Sequence, residues 1–262
     1  MHMKNIVLIT GASSGFGEQF ALQLDAKLKS IDEYWLVARN SEKMQDIATS
    51  MSTQCRILSY DLSTIDGVKA VIKAVEREAD DCYDELNIKM LINSAGFGKI
   101  GEFVYANDSD VIDMVNLNIS ALTYLTKGLL PYMADNSRII NIASAAAFLP
   151  QPYFAEYAAT KSYVLSFSRA LNAELKKHGI FVTAVCPGPA DTNFFNIAEQ
   201  NSNSPWYKKL FMADPKKVVK KAIHDSINKY EISVYSTSMK AFRVLVKFLP
   251  QRFIIELMTK DK

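Results

Sequence analysis

The chain has 262 residues, of which 49% are hydrophobic and 22% charged, with a net charge of +2. These values are ordinary for a globular protein and exclude a disordered, collagenous or disulfide-dense chain. The near-neutral balance gives no overall drive toward nucleic acid. Residues 206–262 nevertheless contain 13 basic and 5 acidic side chains, and this basic end favours an anionic partner or surface.

Three widely spaced cysteines, Cys55, Cys82 and Cys186, occur without a Cys-x2-Cys pair. Reduced thiols are therefore expected rather than a disulfide framework, and no metal site is expected. The N-terminus lacks a signal-peptide pattern, and no stretch approaches the roughly 18 apolar residues of a membrane span. The sequence thus predicts a soluble, cytoplasmic protein.

Seven short apolar runs alternate with longer amphipathic stretches. The runs are rich in Val, Ile and Leu, which is typical of strands buried on both faces. The predicted strands are 5–10, 34–38, 55–59, 89–93, 138–143, 180–186 and 232–235. The predicted helices are 16–29, 42–51, 65–79, 119–133, 156–177 and 215–228. This alternation predicts an α/β fold, a doubly wound parallel sheet of about seven strands with helices on both faces.

The first predicted strand runs into a glycine-rich turn, residues 10–17, before a helix. Gly11 allows a tight turn, Gly15 lets the backbone approach a phosphate, and Gly17 lets the helix pack on the strand. The helix N-terminus then offers N–H groups to a pyrophosphate, so the turn predicts a dinucleotide site. The other predicted contacts of this turn are Ser13, Ser14 and Phe16.

A second motif, Tyr157-x3-Lys161, lies on a predicted helix, where residues four apart share a face. Ser144 precedes Tyr157 by thirteen residues and follows the fifth strand, at the sheet edge where open α/β sheets bind ligands. The charge of Lys161 favours the phenolate of Tyr157, and a positive nicotinamide ring would add to this effect in an oxidised complex. Lowering the pKa of Tyr157 from about 10 toward about 7–8 would let it exchange a proton at neutral pH.

The Gly-x3-Gly-x-Gly turn and the Ser-x12-Tyr-x3-Lys pattern together resemble the short-chain dehydrogenase/reductase family, over about residues 4–235. The resemblance implies a single Rossmann-type domain. It also implies that Ser144 hydrogen-bonds the substrate oxygen, that Tyr157 is the general acid/base, and that Lys161 contacts the nicotinamide ribose and supports the tyrosine.

The same resemblance makes Asn118 the fourth catalytic residue, which holds a water in a proton relay. Thr126 and Pro131 follow at the family's usual spacing, which favours Asn118 over the nearby Asn116. The alternative is that Asn118 only caps the start of a helix.

The choice of cofactor is predicted from the end of the second strand. Proteins that bind the adenosine 2′-hydroxyl of NAD(H) place an acidic residue at this position, where this chain has Ala38. The next residue, Arg39, can instead pair with a 2′-phosphate. NADP(H) is therefore expected over NAD(H). By resemblance, Asp61 contacts the adenine amino group and Leu62 packs beside it.

Two further segments match the family. Residues 93–96 follow its Asn-Asn-Ala-Gly motif except at Ser94, and residues 187–192 follow its Pro-Gly-x3-Thr loop at the nicotinamide carboxamide. The cofactor contacts implied there are Asn93, Ala95, Gly96, Pro187, Gly188 and Thr192.

Residues 1–237 are expected to form one catalytic domain with a substrate loop at about 190–213. An apolar pocket for a bulky lipophilic carbonyl or alcohol is indicated by Phe148, Leu149, Tyr153, Phe154, Phe194, Phe195, Trp206, Tyr207, Phe211 and Met212.

Residues 238–262 read as a basic amphipathic extension interrupted at Pro250. One apolar stripe is predicted to hold Phe242, Leu245, Val246 and Leu249, and a separate basic face Lys240, Arg243 and Lys247. The extension either packs on the body, covers the cleft or joins a dimer interface, or else rests on an anionic membrane as an interfacial helix.

The leading hypothesis is an NADP(H)-dependent carbonyl reductase or alcohol dehydrogenase with a small-molecule substrate. The alternatives are a cofactor-binding sensor or scaffold without turnover, and an epimerase of the extended branch, which needs a larger C-terminal domain. The chain lacks the Gly-rich tail often found in tetrameric members, so a homo-oligomer is expected as a dimer rather than a tetramer.

Overall fold

The computed structural model describes residues 3–81, 85–190 and 212–259. Within them, seven strands form one sheet in the order β3-β2-β1-β4-β5-β6-β7, and all neighbouring strands are parallel. The strands are β1 (Met3–Thr10), β2 (Glu33–Ala38), β3 (Cys55–Ser59), β4 (Glu85–Asn93), β5 (Arg138–Ile142), β6 (Phe181–Val185) and β7 (Ile232–Ser233). The predicted doubly wound parallel sheet is confirmed.

Helices cover both faces of the sheet. The helices of the described residues are α1 (Gly15–Lys27), α2 (Ser41–Thr49), α3 (Ile65–Asp81), α4 (Asp108–Val115), α5 (Leu122–Leu129), α6 (Ala155–Leu175), α7 (Pro215–Ile227), α8 (Thr237–Phe248) and α9 (Gln251–Thr259). Helices α1, α2 and α7 bury their apolar stripes on one face, whereas α3, α5 and α6 pack on the other.

The central strand β1 explains why the apolar runs hardly alternate. Val7 and Ile9 pack toward α1, α2 and α7, whereas Ile6 and Leu8 pack toward α3 and α5. Successive side chains point to opposite faces of a strand, and both faces of this sheet are covered, so every position must be apolar.

The helix predicted over 119–133 differs from the structure. The helical run begins earlier, at α4, and passes through a π-helical segment, Asn116–Ala121, before α5. Among the residues of α4 only Met114 is buried, so this acidic segment shows no wide apolar stripe. Asn118 therefore lies inside a helical run, and its interpretation as a simple cap is wrong.

The C-terminal extension forms two helices, α8 and α9, that meet at Leu249 and Pro250. The residues of the predicted apolar stripe share one side of α8, but only part of the stripe is buried. Val246 is buried against the body and Phe242 is half-buried, whereas Leu245 and Leu249 are exposed. Helix α8 also carries exposed apolar side chains on the opposite side, Val244 and Phe248, which the single predicted stripe does not include.

The three residues of the predicted basic face of α8 also differ in exposure. Lys240 and Lys247 are exposed. Arg243 is half-buried, and its guanidinium carbon lies 6.0 Å from the centroid of the Phe148 ring. Its three-carbon stem can cover apolar surface, so Arg243 belongs to the packed face.

Candidate active site

A cleft of about 1300 Å³ opens at the carboxyl ends of the strands. It includes the point between β1 and β4 where the strand order reverses, which is where open α/β sheets bind ligands. The predicted residues that line it are Gly11, Ser13, Ser14, Gly15, Phe16, Arg39, Asp61, Leu62, Ala95, Gly96, Ser144, Tyr157, Lys161, Pro187 and Gly188.

The glycine-rich turn has the predicted geometry. Gly11 and Gly15 have φ angles of 65° and 59°, in the left-handed region that favours glycine. A Cβ on Gly17 would collide with the carbonyl oxygen of Gly11, so α1 packs directly on the turn. The Ser14 side chain makes no capping hydrogen bond, so it does not occupy the first N–H groups of α1, and Ser14, Gly15 and Phe16 line the cleft.

Thr10 fixes this turn to the end of β4. Its hydroxyl oxygen accepts hydrogen bonds from the backbone N–H groups of Ser94 and Ala95, at 3.0 and 3.1 Å. A Cβ on Gly11 would lie 2.8 Å from the nitrogen of Ala95. The two loops on either side of the switch point therefore form one rigid floor.

Arg39 and Asp61 lie together at the far end of the cleft from Tyr157, after β2 and β3. Nη1 of Arg39 is 3.9 Å from Oδ2 of Asp61, and the Arg39 side chain is 77% exposed. The other Asp61 oxygen accepts hydrogen bonds from the backbone and hydroxyl of Ser63, at 2.9 and 2.8 Å. An exposed pair at this distance is weak, so Arg39 can turn toward a bound anion at little cost.

Ser144 and Tyr157 meet on the cleft wall. Ser144 Oγ accepts a hydrogen bond of 3.1 Å from the backbone of Ala146, and Ser144 also hydrogen-bonds the Tyr157 hydroxyl. The next residue, Ala145, donates a 2.8 Å hydrogen bond to the carbonyl of Pro187. The end of β5 is thereby held against the loop that follows β6.

Lys161 lies one helical turn beyond Tyr157, as the spacing predicts. Its Nζ donates a 2.8 Å hydrogen bond to the carbonyl of Ile142 and lies 5.6 Å from the centroid of the Tyr157 ring. Both side chains are buried. Burial lowers the pKa of Lys161 to about 8, an effect that Cys186 partly offsets.

The expected lowering of the Tyr157 pKa is not found. Burial raises the pKa of Tyr157 above its ordinary value, and the hydrogen bond with Ser144 offsets only part of that rise. Desolvation penalises a phenolate in this pocket. In the protein alone, Tyr157 is therefore a protonated phenol at neutral pH.

Asn118 acts as a clamp behind the cleft and does not line it. Its Nδ2 donates to the carbonyl of Phe97 at 2.8 Å, and its Oδ1 accepts from the Phe97 N–H at 3.1 Å. Nδ2 also donates to Thr160 Oγ1 at 3.1 Å, and Thr160 donates to the carbonyl of Tyr157 at 2.8 Å. The π-helical segment, a feature that recurs at functional sites, thus connects two walls of the site.

Two residues predicted to contact the cofactor, Gly17 and Asn93, do not line the cleft. Gly17 packs under the turn, and Asn93 is buried, with its amide donating to Asn141 Oδ1 at 2.8 Å and to Thr126 Oγ1 at 3.0 Å. Thr192 and the predicted aromatic residues at 194, 195, 206, 207 and 211 lie outside the described residues. Leu149, Tyr153 and Phe154 line the cleft, whereas Phe148 does not.

Sequence reasoning missed several residues of the site. Gly98 approaches the Tyr157 ring, and Thr160 joins Asn118 to α6. The only sequence feature that marked Gly98 was its position, two residues after Gly96. Nothing in the sequence distinguished Thr160 from a surface residue of the Tyr-x3-Lys helix.

Helices α8 and α9 form part of the cleft wall. Their lining residues are Ser238, Met239, Phe242, Ile254 and Met258. A Cβ on Gly188 would lie 3.0 Å from both Cγ and Sδ of Met239, so α8 packs directly on the loop after β6. The extension therefore packs on the body and contributes to the wall of the cleft.

The sequence model of the family described as short chain dehydrogenase matches residues 5–203. The chain belongs to this family. The short-chain dehydrogenase is 31% identical over 191 residues to an uncharacterised oxidoreductase of Staphylococcus epidermidis, covering 72% of this chain and 79% of that protein. It is 32% identical over 211 residues to a very-long-chain 3-oxoacyl-CoA reductase of Anas platyrhynchos, covering 76% and 64%.

Among solved structures, this short-chain dehydrogenase resembles one from Sphingobium yanoikuyae in complex with NADPH. The TM-score is 0.78 at 25% identity, and the match covers 99% of this chain and 96% of that one. The predicted family and its Rossmann-type fold are confirmed.

Proposed function

We propose that this short-chain dehydrogenase is an NADP(H)-dependent oxidoreductase that transfers hydride between nicotinamide and the carbonyl or secondary alcohol of a bulky lipophilic compound. The observation that carries the proposal is the convergence of Ser144, Tyr157 and Lys161 on one wall of the cleft. Ser144 and Tyr157 are hydrogen-bonded, and the Lys161 ammonium lies 5.6 Å from the tyrosine ring. A binding protein without turnover has no need for these three groups in contact.

The residues present fit a dinucleotide. The N-terminus of α1 follows a turn whose glycines have positive φ, an arrangement suited to a pyrophosphate. A Cβ on Gly96 would lie 2.8 Å from Asn118 Oδ1 and 3.3 Å from Lys161 Nζ, so the cleft is widened where backbone replaces side chain. Lys161 would hold the nicotinamide ribose, and the loop at Pro187 and Gly188 the carboxamide. The cofactor supplies the hydride when bound.

Tyr157 is the proton donor for reduction. Because burial keeps it a phenol at neutral pH, it can give its proton to a carbonyl oxygen as negative charge develops there. Ser144 donates a hydrogen bond to the same oxygen and stabilises that charge. Lys161, with a pKa near 8, is mostly an ammonium at pH 7 and favours the tyrosinate that is left.

The preference for NADP(H) rests on the end of β2. Ala38 offers no acceptor for a 2′-hydroxyl, whereas Arg39 is exposed and lines the cleft. A guanidinium recognises a phosphate through charge-assisted hydrogen bonds. On binding, Arg39 would exchange its weak contact with Asp61 for the 2′-phosphate. The NADPH complex of the Sphingobium yanoikuyae relative agrees with this choice.

A bulky lipophilic substrate suits the opposite end of the cleft. Apolar side chains line it, among them Leu149, Phe154, Met239, Phe242 and Met258. The volume of about 1300 Å³ exceeds the roughly 300–1,000 Å³ of common small-molecule sites, which leaves room for a substrate beside a dinucleotide. The very-long-chain 3-oxoacyl-CoA reductase among the relatives is named for an acyl substrate with a ketone, which is compatible chemistry.

A catalytically silent sensor is the alternative, and one assay separates the two functions. The purified protein is incubated with NADPH and a panel of carbonyl compounds, from small aldehydes to bulky aromatic and long-chain ketones. We expect NADPH oxidation that is fastest with the bulky ketones and absent in Tyr157→Phe. A sensor would bind NADPH but oxidise it no faster with any carbonyl than without one.

The homo-oligomer, as a dimer rather than a tetramer, stays a prediction, as does the cytoplasmic location. Helices α4, α5 and α6 expose Ile112, Val115, Tyr124 and Tyr163, a surface that a dimer would cover. Light scattering coupled to gel filtration gives the subunit number directly.

A further inference from the structure

Helices α8 and α9 carry a second apolar surface, turned away from the body. Val244, Leu245, Phe248 and Phe253 are 55%, 54%, 80% and 62% exposed. We call these four side chains the outer apolar face. On α8, Val244 and Phe248 lie opposite Met239 and Val246, because at about 3.6 residues per turn positions two, five or nine apart fall on roughly opposite sides of a helix.

The outer apolar face and the cleft wall belong to the same pair of helices. Phe242, Ile254 and Met258 line the cleft, while Phe248 and Phe253, a few positions away, face solvent. A surface that contacts the outer apolar face therefore lies one helix diameter, about 10 Å, from the substrate cleft.

Basic side chains border the outer apolar face. Lys240 and Lys247 are exposed on α8, and their spacing of seven residues places them on one side of the helix, next to Val244. Across residues 238–262 the sequence has six basic and two acidic side chains. Apolar side chains bordered by lysines are typical of helices that lie in the interface of an anionic membrane.

We infer that the outer apolar face docks the enzyme on an anionic lipid bilayer. The apolar side chains enter the boundary between headgroups and acyl chains, and Lys240 and Lys247 contact the anionic headgroups. This attachment is peripheral, at the surface of the bilayer. Among the described residues, no helix is long and apolar enough to cross a membrane.

A second copy of the chain fits this face less well. A two-fold contact places the same patch of both subunits together. Where the two copies of α8 run antiparallel, the pair Lys240 and Lys247 of one subunit lies beside the same pair of the other, and the like charges repel. An anionic bilayer offers apolar depth and opposite charge at once.

The docking brings the cleft to the place where a lipophilic substrate is concentrated. This purpose depends on the proposed function, but the docking does not depend on turnover. Vesicle binding is therefore measured by itself, without a substrate.

The test is co-sedimentation of the full chain, in the presence of NADPH, with vesicles of phosphatidylcholine alone or of phosphatidylglycerol mixed with phosphatidylcholine. Three double variants are compared with the wild type. Leu245→Ser/Phe248→Ser removes apolar depth, and Lys240→Gln/Lys247→Gln removes charge. Lys69→Gln/Lys73→Gln is the matched control, since both lysines are exposed on α3.

We expect the wild type and the α3 control to pellet with phosphatidylglycerol vesicles at low salt and much less at high salt. Each α8 variant should lose about tenfold or more of this binding. Circular dichroism and NADPH binding check that each variant is folded. The inference is overturned if the wild type does not bind anionic vesicles, or if both α8 variants bind as the wild type does. It is also overturned if Leu245→Ser/Phe248→Ser converts a dimer to a monomer while the wild type ignores vesicles.

Discussion

Gly98 and Tyr157 are so close that one added carbon would bring them into collision. A Cβ on Gly98 would lie 2.6 Å from Cδ2 of the Tyr157 ring and 3.0 Å from Cε2 of Phe154. Phe154 itself stacks on Tyr157, with ring centroids 4.3 Å apart. Gly98 therefore lies beside the stacked pair, and its backbone together with the Phe154 ring restricts where the Tyr157 hydroxyl can point.

Gly98→Ala tests this positioning. Atoms at 2.6 Å cannot coexist, so the Tyr157 ring must move, and misplacement of about 1 Å costs about 100-fold in rate. We expect kcat to fall by at least tenfold, with NADPH affinity changed by less than threefold or so. Gly101→Ala is the control, because nothing lies within 4 Å of its added carbon. Equal activity of the two variants would show that Tyr157 tolerates the shift.

Tyr157→Phe and Ser144→Ala distinguish the role of Tyr157 as proton donor from the role of Ser144 as hydrogen-bond donor to the substrate oxygen. Tyr157→Phe deletes the proton-donating oxygen, so turnover should vanish while NADPH affinity stays within a few-fold of the wild type. Ser144→Ala should cost about 100-fold or more in kcat, as expected for a lost donor to a developing oxyanion. Steady-state kinetics and fluorescence titration with NADPH measure both quantities. Near-normal turnover in Tyr157→Phe would mean that another group supplies the proton.

Arg39→Ala should change the choice of cofactor. The variant loses the cation that would pair with a 2′-phosphate, so we expect NADPH to bind tenfold or more weakly, from a lost charge-assisted hydrogen bond. Binding of NADH should change little. Lys43→Ala, an exposed basic residue on α2, controls for the loss of one positive charge nearby. Equal weakening of both cofactors would contradict the role of Arg39.

The pH dependence of reduction should follow Lys161. Burial lowers the pKa of Lys161 to about 8, so its ammonium is present below that pH and lost above it, whereas Tyr157 keeps its proton. We expect kcat/KM, which reports groups of the free enzyme, to decline as pH rises through about 8. In Lys161→Arg the cation persists at every pH, so the residual activity should not show this decline. The same decline in both proteins would assign it to another group.

Phe242 and Phe248 provide a test of the cleft wall within one helix. Phe242 lines the cleft, whereas Phe248 is 80% exposed. Phe242→Ala should raise KM for a bulky ketone by about tenfold, as expected for one lost apolar contact surface, and leave NADPH affinity unchanged. Phe248→Ala should change neither quantity with a soluble substrate. If Phe242→Ala has no effect on KM, the substrate lies elsewhere in the cleft.

The strands were predictable because each is a short run of almost entirely apolar residues, which is typical of strands buried on both faces. Ile6, Val7, Leu8 and Ile9 are all fully buried, and such a run has few other interpretations. The phosphate turn was predictable for the same local reason, since the demand for Gly11 arises within the turn itself. Helix α4 was not predicted from the sequence. It is an acidic segment in which only Met114 is buried, so it shows no clear apolar periodicity.

The features that sequence reasoning missed depend on partners distant in the chain. The demand for glycine at position 98 comes from the ring of Tyr157, and Asn118 is fixed by the backbone of Phe97. The pKa of Tyr157 depends on how deeply tertiary packing buries it. The two apolar faces of α8 could not be assigned from spacing, because the periodicity shows which residues share a face but not which face meets the body.

Direct hydride transfer, with Tyr157 as the proton donor, is tested by following one deuterium. NADPH labelled with deuterium at the transferring C4 position is incubated with a bulky ketone that the wild type reduces, and the product alcohol is analysed by mass spectrometry. We predict one deuterium on the former carbonyl carbon with the wild type, and no labelled alcohol with Tyr157→Phe. An alcohol formed without the label, or labelled equally by Tyr157→Phe, would contradict direct hydride transfer with Tyr157 as the proton donor.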